Sequence, residues 1–158
     1  MNKANMFEQF INENVDAAYR FAYTYVKNKE DAEDILNESV VKALRSINSL
    51  KDTGKMKSWF YTIIARTALS HIKDRQKIIY LEDGAMEHLE PLTDDYSHIS
   101  FEEMMDHLDP KHRPILVLRF LEDMTISEVA QILELNENTV KSRLYRALER
   151  LKLEIQEV

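Results

Sequence analysis

The basic residues near the C-terminus have the types and spacing that suit DNA binding. Five cations and two acids fall between residues 137 and 152. On a helix, the spacing forms a polar stripe beside a stripe of arginines; the two stripes are Asn138, Lys141, Ser142 and Tyr145, and Arg143, Arg146 and Arg150. A helix in the major groove needs polar and basic groups for base edges and cations for phosphates. The pattern predicts a DNA-reading helix, and a solvated helix face is the alternative.

The residues just before this helix have the form of a helix-turn-helix. Thr125 and Glu128 have the Thr-x-x-Glu spacing of a capping box, which predicts a short helix starting there. A break over residues 134–137 follows, and Asn136 suits the N-cap of the next helix. Two helices joined by a tight turn, the second long and basic, are typical of this motif.

A second group of cations surrounds three consecutive aromatic residues, Trp59, Phe60 and Tyr61. Residues 42–75 contain eight basic and two acidic side chains. The cations are Lys42, Arg45, Lys51, Lys55, Lys57, Arg66, Lys73 and Arg75. Aromatic rings beside cations suit the unstacked bases of a single strand. Trp59 and Phe60 also fall at core spacing, so a place in the hydrophobic core is the alternative.

The sequence gives little support for a catalytic, metal or cofactor site. The absence of Cys excludes disulfides, thiolate zinc sites and cysteine nucleophiles. The five histidines form no pair at helical ligand spacing, and there is no Walker loop, dinucleotide glycine fingerprint or nucleophile elbow. We therefore expect no catalytic residue, no metal and no cofactor.

The elements that must position these residues are helical. The 158 residues include only 2 Gly and 3 Pro, and apolar residues recur every three or four positions. The run PILVLRFL, a strand or a buried helix by periodicity alone, is interpreted as helix from its neighbours. Periodicity is lost from residue 76, and residues 76–110 hold ten acids and one Lys. We predict two all-α domains, 1–75 and 101–158, each too small for a large core, joined by a flexible acidic linker over 76–100.

The chain also carries signals of location. Its apolar runs are far shorter than the roughly 20 residues that span a bilayer, and the N-terminal residues lack the pattern of a signal peptide. We expect a cytoplasmic protein that does not insert into a membrane.

Three segments resemble successive signatures of extracytoplasmic-function sigma factors, the smallest members of the sigma-70 family of bacterial transcription initiation factors. They are DAEDILNESVVKALRSI, WFYTIIARTALSHIK and TISEVAQILELNENTVKSRLYRALERLK. The resemblance implies an alternative sigma factor and no enzyme. Residues 1–75 would be region 2, which binds core RNA polymerase and opens the minus-10 element. Residues 101–158 would be region 4, which binds the minus-35 promoter element and the polymerase flap. An anti-sigma factor is the usual control.

By the same resemblance, three sets of residues carry the contacts. Polymerase binding is expected from Asp31, Asp34, Asn37, Glu38 and Lys42. Minus-10 recognition is expected from Lys55, Lys57, Ser58, Trp59, Tyr61, Arg66 and Lys73. Minus-35 recognition is expected from Asn138, Thr139, Lys141, Ser142, Arg143, Tyr145, Arg146 and Arg150.

The chain departs from the family pattern at several of these places. The third helix often reads W-L-Y-R-I-A-R-N-T-A-I-D-H-L-R in the family, whereas Arg66 replaces its Asn here. The other replacements in that helix are Thr62, Ala65 and Ser70. Glu134 stands at the helix-turn-helix corner where the family usually has Gly, and Asn138 also replaces a common Gly. These changes alter the exposed faces, and with them the individual DNA contacts.

Two other functions compete with a sigma factor. A regulator of response-regulator type would share residues 110–155 but would not need the motifs of residues 31–75. A nucleic-acid enzyme would need the linker acids ordered around a metal. For the linker itself we predict that its acids mimic a nucleic-acid strand, either in the polymerase channel or against the chain's own basic faces; a solvated tether is the alternative.

Overall fold

The described part of the chain consists of helices joined by short turns. The structure is a computed structural model that describes the backbone of residues 1–82 and 100–156 and the side chains of residues 1–74 and 100–152. Its α-helices are α1 Lys3–Val26, α2 Lys29–Arg45, α3 Met56–Glu82, α4 Phe101–Asp106, α5 Arg113–Leu116, α6 Ile126–Leu133 and α7 Glu137–Gln156. Those ranges contain no strand, so the predicted all-α fold class is confirmed.

The N-terminal unit, residues 1–82, is a three-helix assembly around aromatic side chains. Asn28 caps α2 by accepting a hydrogen bond from Asp31 N at 3.0 Å. Two 3₁₀ turns, Ile47–Ser49 and Thr53–Lys55, connect α2 to α3. Phe7 of α1 packs edge-on against Phe60 of α3 with ring centroids 5.1 Å apart. Such edge-to-face pairs add to the free energy gained from burial alone and fix the register of α1 on α3.

Helix α3 extends further than the pattern predicts. The predicted domain ends at residue 75, but the helix continues to Glu82. No Gly or Pro occurs between Gly54 and Gly84, so nothing in the backbone chemistry ends the helix earlier. The rest of the predicted linker, residues 83–99, and with it the proposed strand mimicry, lies outside the described residues.

The C-terminal unit, residues 100–156, begins with the short α4 and ends with the long α7. The segment 114–121 is helical, which confirms the choice of helix over strand for PILVLRFL. Pro114 occupies the first turn of α5, where its missing N–H costs nothing. The residues after α5, Val117–Leu121, continue as a π-helical turn. Isolated π turns are frequent at functional sites, and this one leaves Phe120 exposed.

The two units pack against each other. Helix α3 contacts α6, and α1 contacts α5 and the π turn. One buried apolar cluster runs through the junction and includes Phe21 and Ile64 on one side and Val117 and Ile132 on the other. A unit of about 60 residues buries only about 60% of its unfolded surface by itself. Packing together therefore enlarges the apolar core beyond what each unit buries by itself.

Candidate nucleic-acid and polymerase interfaces

The helix-turn-helix forms as its sequence predicts. Thr125 and Glu128 make both hydrogen bonds of the capping box, each at 3.1 Å. Helix α6 ends at Leu133, and its C-cap residue Glu134 adopts a left-handed backbone conformation with φ 56° and ψ 44°. Asn136 then accepts a hydrogen bond from Thr139 N at 2.8 Å and starts α7. The predicted cap residues are confirmed, and they fix the angle at which α7 leaves the turn.

Helix α7 presents the predicted minus-35 residues to solvent. Asn138, Lys141 and Ser142 are exposed, and Tyr145 is 63% exposed. The predicted stripe of polar and basic residues is therefore present as a continuous outer face. The helix is anchored from beneath by Val140, which is fully buried. A hydrogen bond with Glu149, followed by the charge of that carboxylate, raises the pKa of Tyr145.

The remaining minus-35 residues lie at the edges of this face. Thr139 and Arg143 are half-buried. Arg146 and Arg150 are exposed and line a cleft of about 470 Å³ together with residues from the start of the C-terminal unit. The other lining residues are His107, Leu108, Asp109, Pro110, His112 and Arg113. Sequence reasoning missed this group, because residues more than 30 positions before Arg146 are joined to it only by tertiary packing.

His112 is one of the buried residues that line this cleft. Its burial is the main reason that its pKa lies below the ordinary value of 6.5; Lys111, Arg143 and Arg146 lower it further, whereas Asp109 acts in the opposite direction. Its Nε2 is buried without a hydrogen-bond partner in the part of the chain that the structure describes. The imidazole therefore favours the neutral form beside the cations of α7.

A second cleft, of about 660 Å³, collects most of the predicted minus-10 residues. Lys55, Ser58, Trp59 and Arg66 line one wall. The turn between α2 and α3 forms the floor with Ser46, Ser49, Leu50, Lys51 and Asp52. Asp52 shapes this turn by accepting a hydrogen bond from Gly54 N at 2.9 Å. An aromatic ring with cations and hydroxyls around it suits a single strand with unstacked bases.

Tyr61 does not take part in this cleft. The sequence predicts it among the minus-10 residues, but its side chain is fully buried and stacks on Phe21 with ring centroids 5.2 Å apart. Burial, followed by the charge of Glu122, raises the pKa of its hydroxyl. The prediction is wrong for this conformation, because residues two positions apart on a helix point in different directions. Trp59, by contrast, is half-buried and packs edge-on against Phe7.

The predicted polymerase-binding residues fall into two groups. Asp34, Asn37 and Glu38 are exposed on one face of α2. Asp31 is turned inward: its side chain is only 14% exposed, and its carboxylate lies 3.6 Å from His71 Nε2. Lys42 is half-exposed and is shared between Glu38 and the Thr67 hydroxyl, each at 3.3 Å.

The same face of α2 also carries apolar side chains that sequence reasoning missed. Val41 and Leu44 are each 46% exposed. The periodic pattern assigns Leu44 to the core side of the helix. Helical spacing is the signal that could have placed it on this exposed face, because Leu44 lies three positions after Val41 and seven after Asn37.

The comparisons with known proteins decide the family. The sigma-70 region 2 model matches residues 10–78 and the sigma-70 region 4 model matches residues 98–151. RNA polymerase sigma factor SigV of Bacillus subtilis (strain 168) is 41% identical over 138 residues, which cover 87% of this chain and 83% of that protein. The chain belongs to the sigma-70 family. Members of this family direct promoter-specific transcription initiation as regulatory DNA-recognition proteins.

Further relatives agree with this sigma-70 chain in fold and class. The extracytoplasmic-function sigma factor SigW of the same organism is 26% identical, over 90% of this chain and 85% of that one. The structure of the sigma factor RpoE in complex with the anti-sigma factor NepR, from Bartonella quintana, superposes with a TM-score of 0.80. It is 22% identical and covers 95% of this chain and 96% of RpoE, so it shows the shared fold.

The two competing functions, a regulator of response-regulator type and a metal-dependent nucleic-acid enzyme, find no support in these observations. The match of residues 10–78 to region 2 is unexpected for a regulator of response-regulator type, which has no such region. Within residues 1–82 and 100–156, no group of three or more acids or histidines is placed to hold a metal ion. None of the helices in those ranges has the length and apolar character needed to cross a membrane.

Proposed function

We propose that three faces of this sigma factor divide the work of initiation. The outer face of α7 reads the minus-35 element, the cleft beside Trp59 holds the minus-10 strand, and the outer face of α2 docks on core RNA polymerase. The observation that carries the proposal is the grouping of the predicted residues. Each set falls on one helix, or on one helix and the turn before it, and most of its members lie together on one face with the chemistry that their partner needs.

The α7 face suits duplex DNA. Asn138 and Ser142 offer short polar groups for base edges, and Lys141 reaches further from the same stripe. Arg146 and Arg150 flank the stripe and suit phosphates, whose contacts set the position of a helix in the groove without reading sequence. Fixed capping at both ends of the turn holds the helix in one orientation.

The cleft in the N-terminal unit suits an unpaired strand. Trp59 offers a ring for base stacking, which is worth about 1–3 kcal/mol per base and tolerates any sequence. Lys55 and Arg66 supply charge for the backbone. Strand opening then follows from the binding energy of captured bases, and no bond changes. We therefore propose that the chain is not an enzyme and needs no cofactor.

The α2 face has the composition of a protein interface. Val41 and Leu44 form an apolar centre, and Asp34, Asn37 and Glu38 form a polar rim. Interfaces commonly combine such a centre with such a rim. We propose that this face binds core RNA polymerase, with Asp31 acting through its contact with His71 rather than directly.

A further apolar groove in the C-terminal unit suits the other partners. It measures about 490 Å³, and its apolar rim includes Phe120, Leu121 and Leu148. The resemblance assigns flap binding to this unit, and two similar folds are sigma factors in complex with the anti-sigma factors NepR and CnrY. We propose that the flap and an anti-sigma factor use this groove, and that the protein acts in the cytoplasm.

Reconstituted transcription tests the division of work. Core RNA polymerase with this chain is given promoters selected from a random library, and run-off products are measured. Replacement of Lys141, Arg143 and Arg146 together by Ala should abolish specific products, and Lys152→Ala on the same helix is the matched control. Equal transcription from the triple variant and the control would show that α7 is not the reader.

A further inference from the structure

The junction between the two units covers part of the α3 surface to which we assign minus-10 recognition. We propose that Glu134 latches the C-terminal unit onto this surface in the free protein, so that the chain's own carboxylates compete with the minus-10 strand for the same cations. The proposal rests on the proposed role of α3, and its test separates the two.

Arg66 and Glu134 form the exposed half of the latch. The guanidinium donates from Nε to Glu134 Oε1 at 2.9 Å, and Nη2 forms an ion pair with the same oxygen. The side chains are 65% and 54% exposed, so salt screens their attraction. An exposed pair of this kind is weak. A DNA phosphate, which also suits a guanidinium fork, can therefore replace Glu134.

Lys57 and Glu122 form the buried half. The ammonium lies 3.0 Å from Glu122 Oε2 and 3.5 Å from the backbone oxygen of the same residue. The Glu122 side chain is only 4% exposed. Salt screens a buried pair much less than an exposed one. Both cations of the latch are residues that we assign to the minus-10 strand, so the closed junction and the strand exclude each other at two points.

The backbone of Glu134 adopts a conformation that Gly would also hold, so its side chain can be removed without loss of the turn. Its left-handed conformation is strained for a residue with a Cβ and relaxed for Gly. Gly, the usual family residue at this corner, would make the turn more stable. Arg66 departs from the family pattern as well, and the two departures meet each other across the junction.

The junction between the two units also narrows the cleft beside Trp59, and the two units can separate again. Glu128 and Gln131 of α6 line the cleft together with Trp59, so an entering strand meets a carboxylate there. The Tyr61 hydroxyl and the Glu122 carboxylate are buried at the junction against each other, and burial followed by this interaction raises the pKa of the hydroxyl. Removing a carboxylate and a hydroxyl from water costs desolvation free energy that their mutual contact offsets only in part. The closed state is therefore one that a partner with higher affinity for the open state can displace.

A distance measurement tests the latch directly. The chain has no Cys, so spin labels at Ser70→Cys and Glu137→Cys report the separation of α3 and α7 in the full-length protein. Glu134→Gly should lengthen the mean distance without unfolding the turn. Asp123→Gly is the matched control, because Asp123 is also an exposed acid with positive φ. Glu134→Arg should open the junction, and Glu134→Arg with Arg66→Glu should close it again.

A binding measurement tests the competition. A short fluorescent oligo(dT) is titrated with the free protein at low salt, because stacking onto an aromatic ring does not depend on sequence. Glu134→Gly should bind at least about threefold more tightly than Asp123→Gly, which is the scale of one exposed ion pair. The gain should vanish in a Trp59→Ala background and shrink at about 1 M salt, where the screening length is about 3 Å.

The outcomes separate the latch from the role of α3. A longer distance with tighter oligo(dT) binding supports the proposal. An unchanged distance in Glu134→Gly overturns the latch and leaves the role of α3 as it stands. A longer distance with no gain over Asp123→Gly overturns the competition, whereas unchanged oligo(dT) binding in Trp59→Ala overturns the proposed role of α3.

Discussion

The two DNA-binding faces differ in what covers them. On α7, Asn138, Lys141 and Ser142 lie exposed along the whole reading stripe. On α3, Arg66 and Lys57 are paired with carboxylates of the C-terminal unit. A duplex can therefore reach the proposed minus-35 reader in this conformation, whereas a single strand cannot use the full set of minus-10 cations.

This difference indicates an order of events. The junction is held by a shared apolar cluster as well as by ion pairs, so opening it exposes buried surface. A ligand shifts such an equilibrium only as far as its affinities for the two states differ. Core polymerase, which offers a large interface, is better suited to supply that difference than a short DNA strand. We expect docking on polymerase to precede capture of the minus-10 strand.

The largest expected effect comes from removing Tyr61, the aromatic ring of α3 that lies in the core, and comparing it with removal of Trp59, the ring that we assign to DNA binding. Tyr61→Ala should lower the free energy of unfolding by about 3–5 kcal/mol, the usual cost of deleting a buried aromatic ring. Urea unfolding followed by circular dichroism measures this loss. Trp59→Ala, at a half-buried position, should cost less stability but weaken oligo(dT) binding. If Tyr61→Ala keeps its stability and loses oligo(dT) binding instead, Tyr61 is a reader after all.

Binding of duplex DNA to the free protein tests whether the exposed face of α7 is accessible to DNA without polymerase. Lys141→Ala should cost about 1–3 kcal/mol of affinity and relax specificity at one position if this side chain reads a base. Arg150→Ala, which we assign to phosphate, should weaken all duplexes alike and reduce the salt slope by roughly one. Competition titrations with selected and scrambled duplexes measure both. Identical behaviour of the two variants would contradict the division between base and phosphate contacts.

We expect substitutions on the outer face of α2 to weaken polymerase binding without weakening DNA binding by α3 or α7. Asp34→Arg with Glu38→Arg should weaken binding to core polymerase about tenfold, or about 1.4 kcal/mol, because charge reversal removes a polar rim from the interface. Binding of duplex DNA by the free protein should not fall. The matched control is Glu8→Arg with Glu13→Arg, two exposed acids on α1. Equal polymerase affinity for the two double variants would remove the assignment of α2.

The smallest expected effect is a dependence of the free energy of unfolding on pH, which His112 of the C-terminal unit contributes. Burial lowers the pKa of His112 in the folded protein, so the unfolded chain takes up the proton first as pH falls. The contribution to stability is complete above the ordinary pKa of 6.5 and is lost as pH falls from there through the folded pKa. His112→Gln should flatten this part of the stability profile measured by urea unfolding. An unchanged slope between pH 7.5 and 5.5 would show that His112 does not contribute to it.

Sequence alone determined the local elements and the family. The capping box at Thr125 and the cap at Asn136 depend on residues three positions apart, so their hydrogen bonds follow from short-range geometry. Helical periodicity likewise indicated the outer face of α7, because the buried residues Val140 and Ala147, seven positions apart, set the rotation of the helix. Where a single helix carries the site, its sequence contains nearly all the information needed to place it.

Tertiary structure decided which chemically suitable residues are accessible and which contacts they make. Tyr61 and Trp59 are both aromatic neighbours of cations, but Tyr61 is buried because another part of the chain packs over it. The pairing of Arg66 with Glu134 joins residues 68 positions apart. Hydrophobic burial favours any packing that removes apolar surface from water and has no direction of its own. The arrangement of the two units, and with it the covering of one DNA face but not the other, therefore depends on how their surfaces fit together.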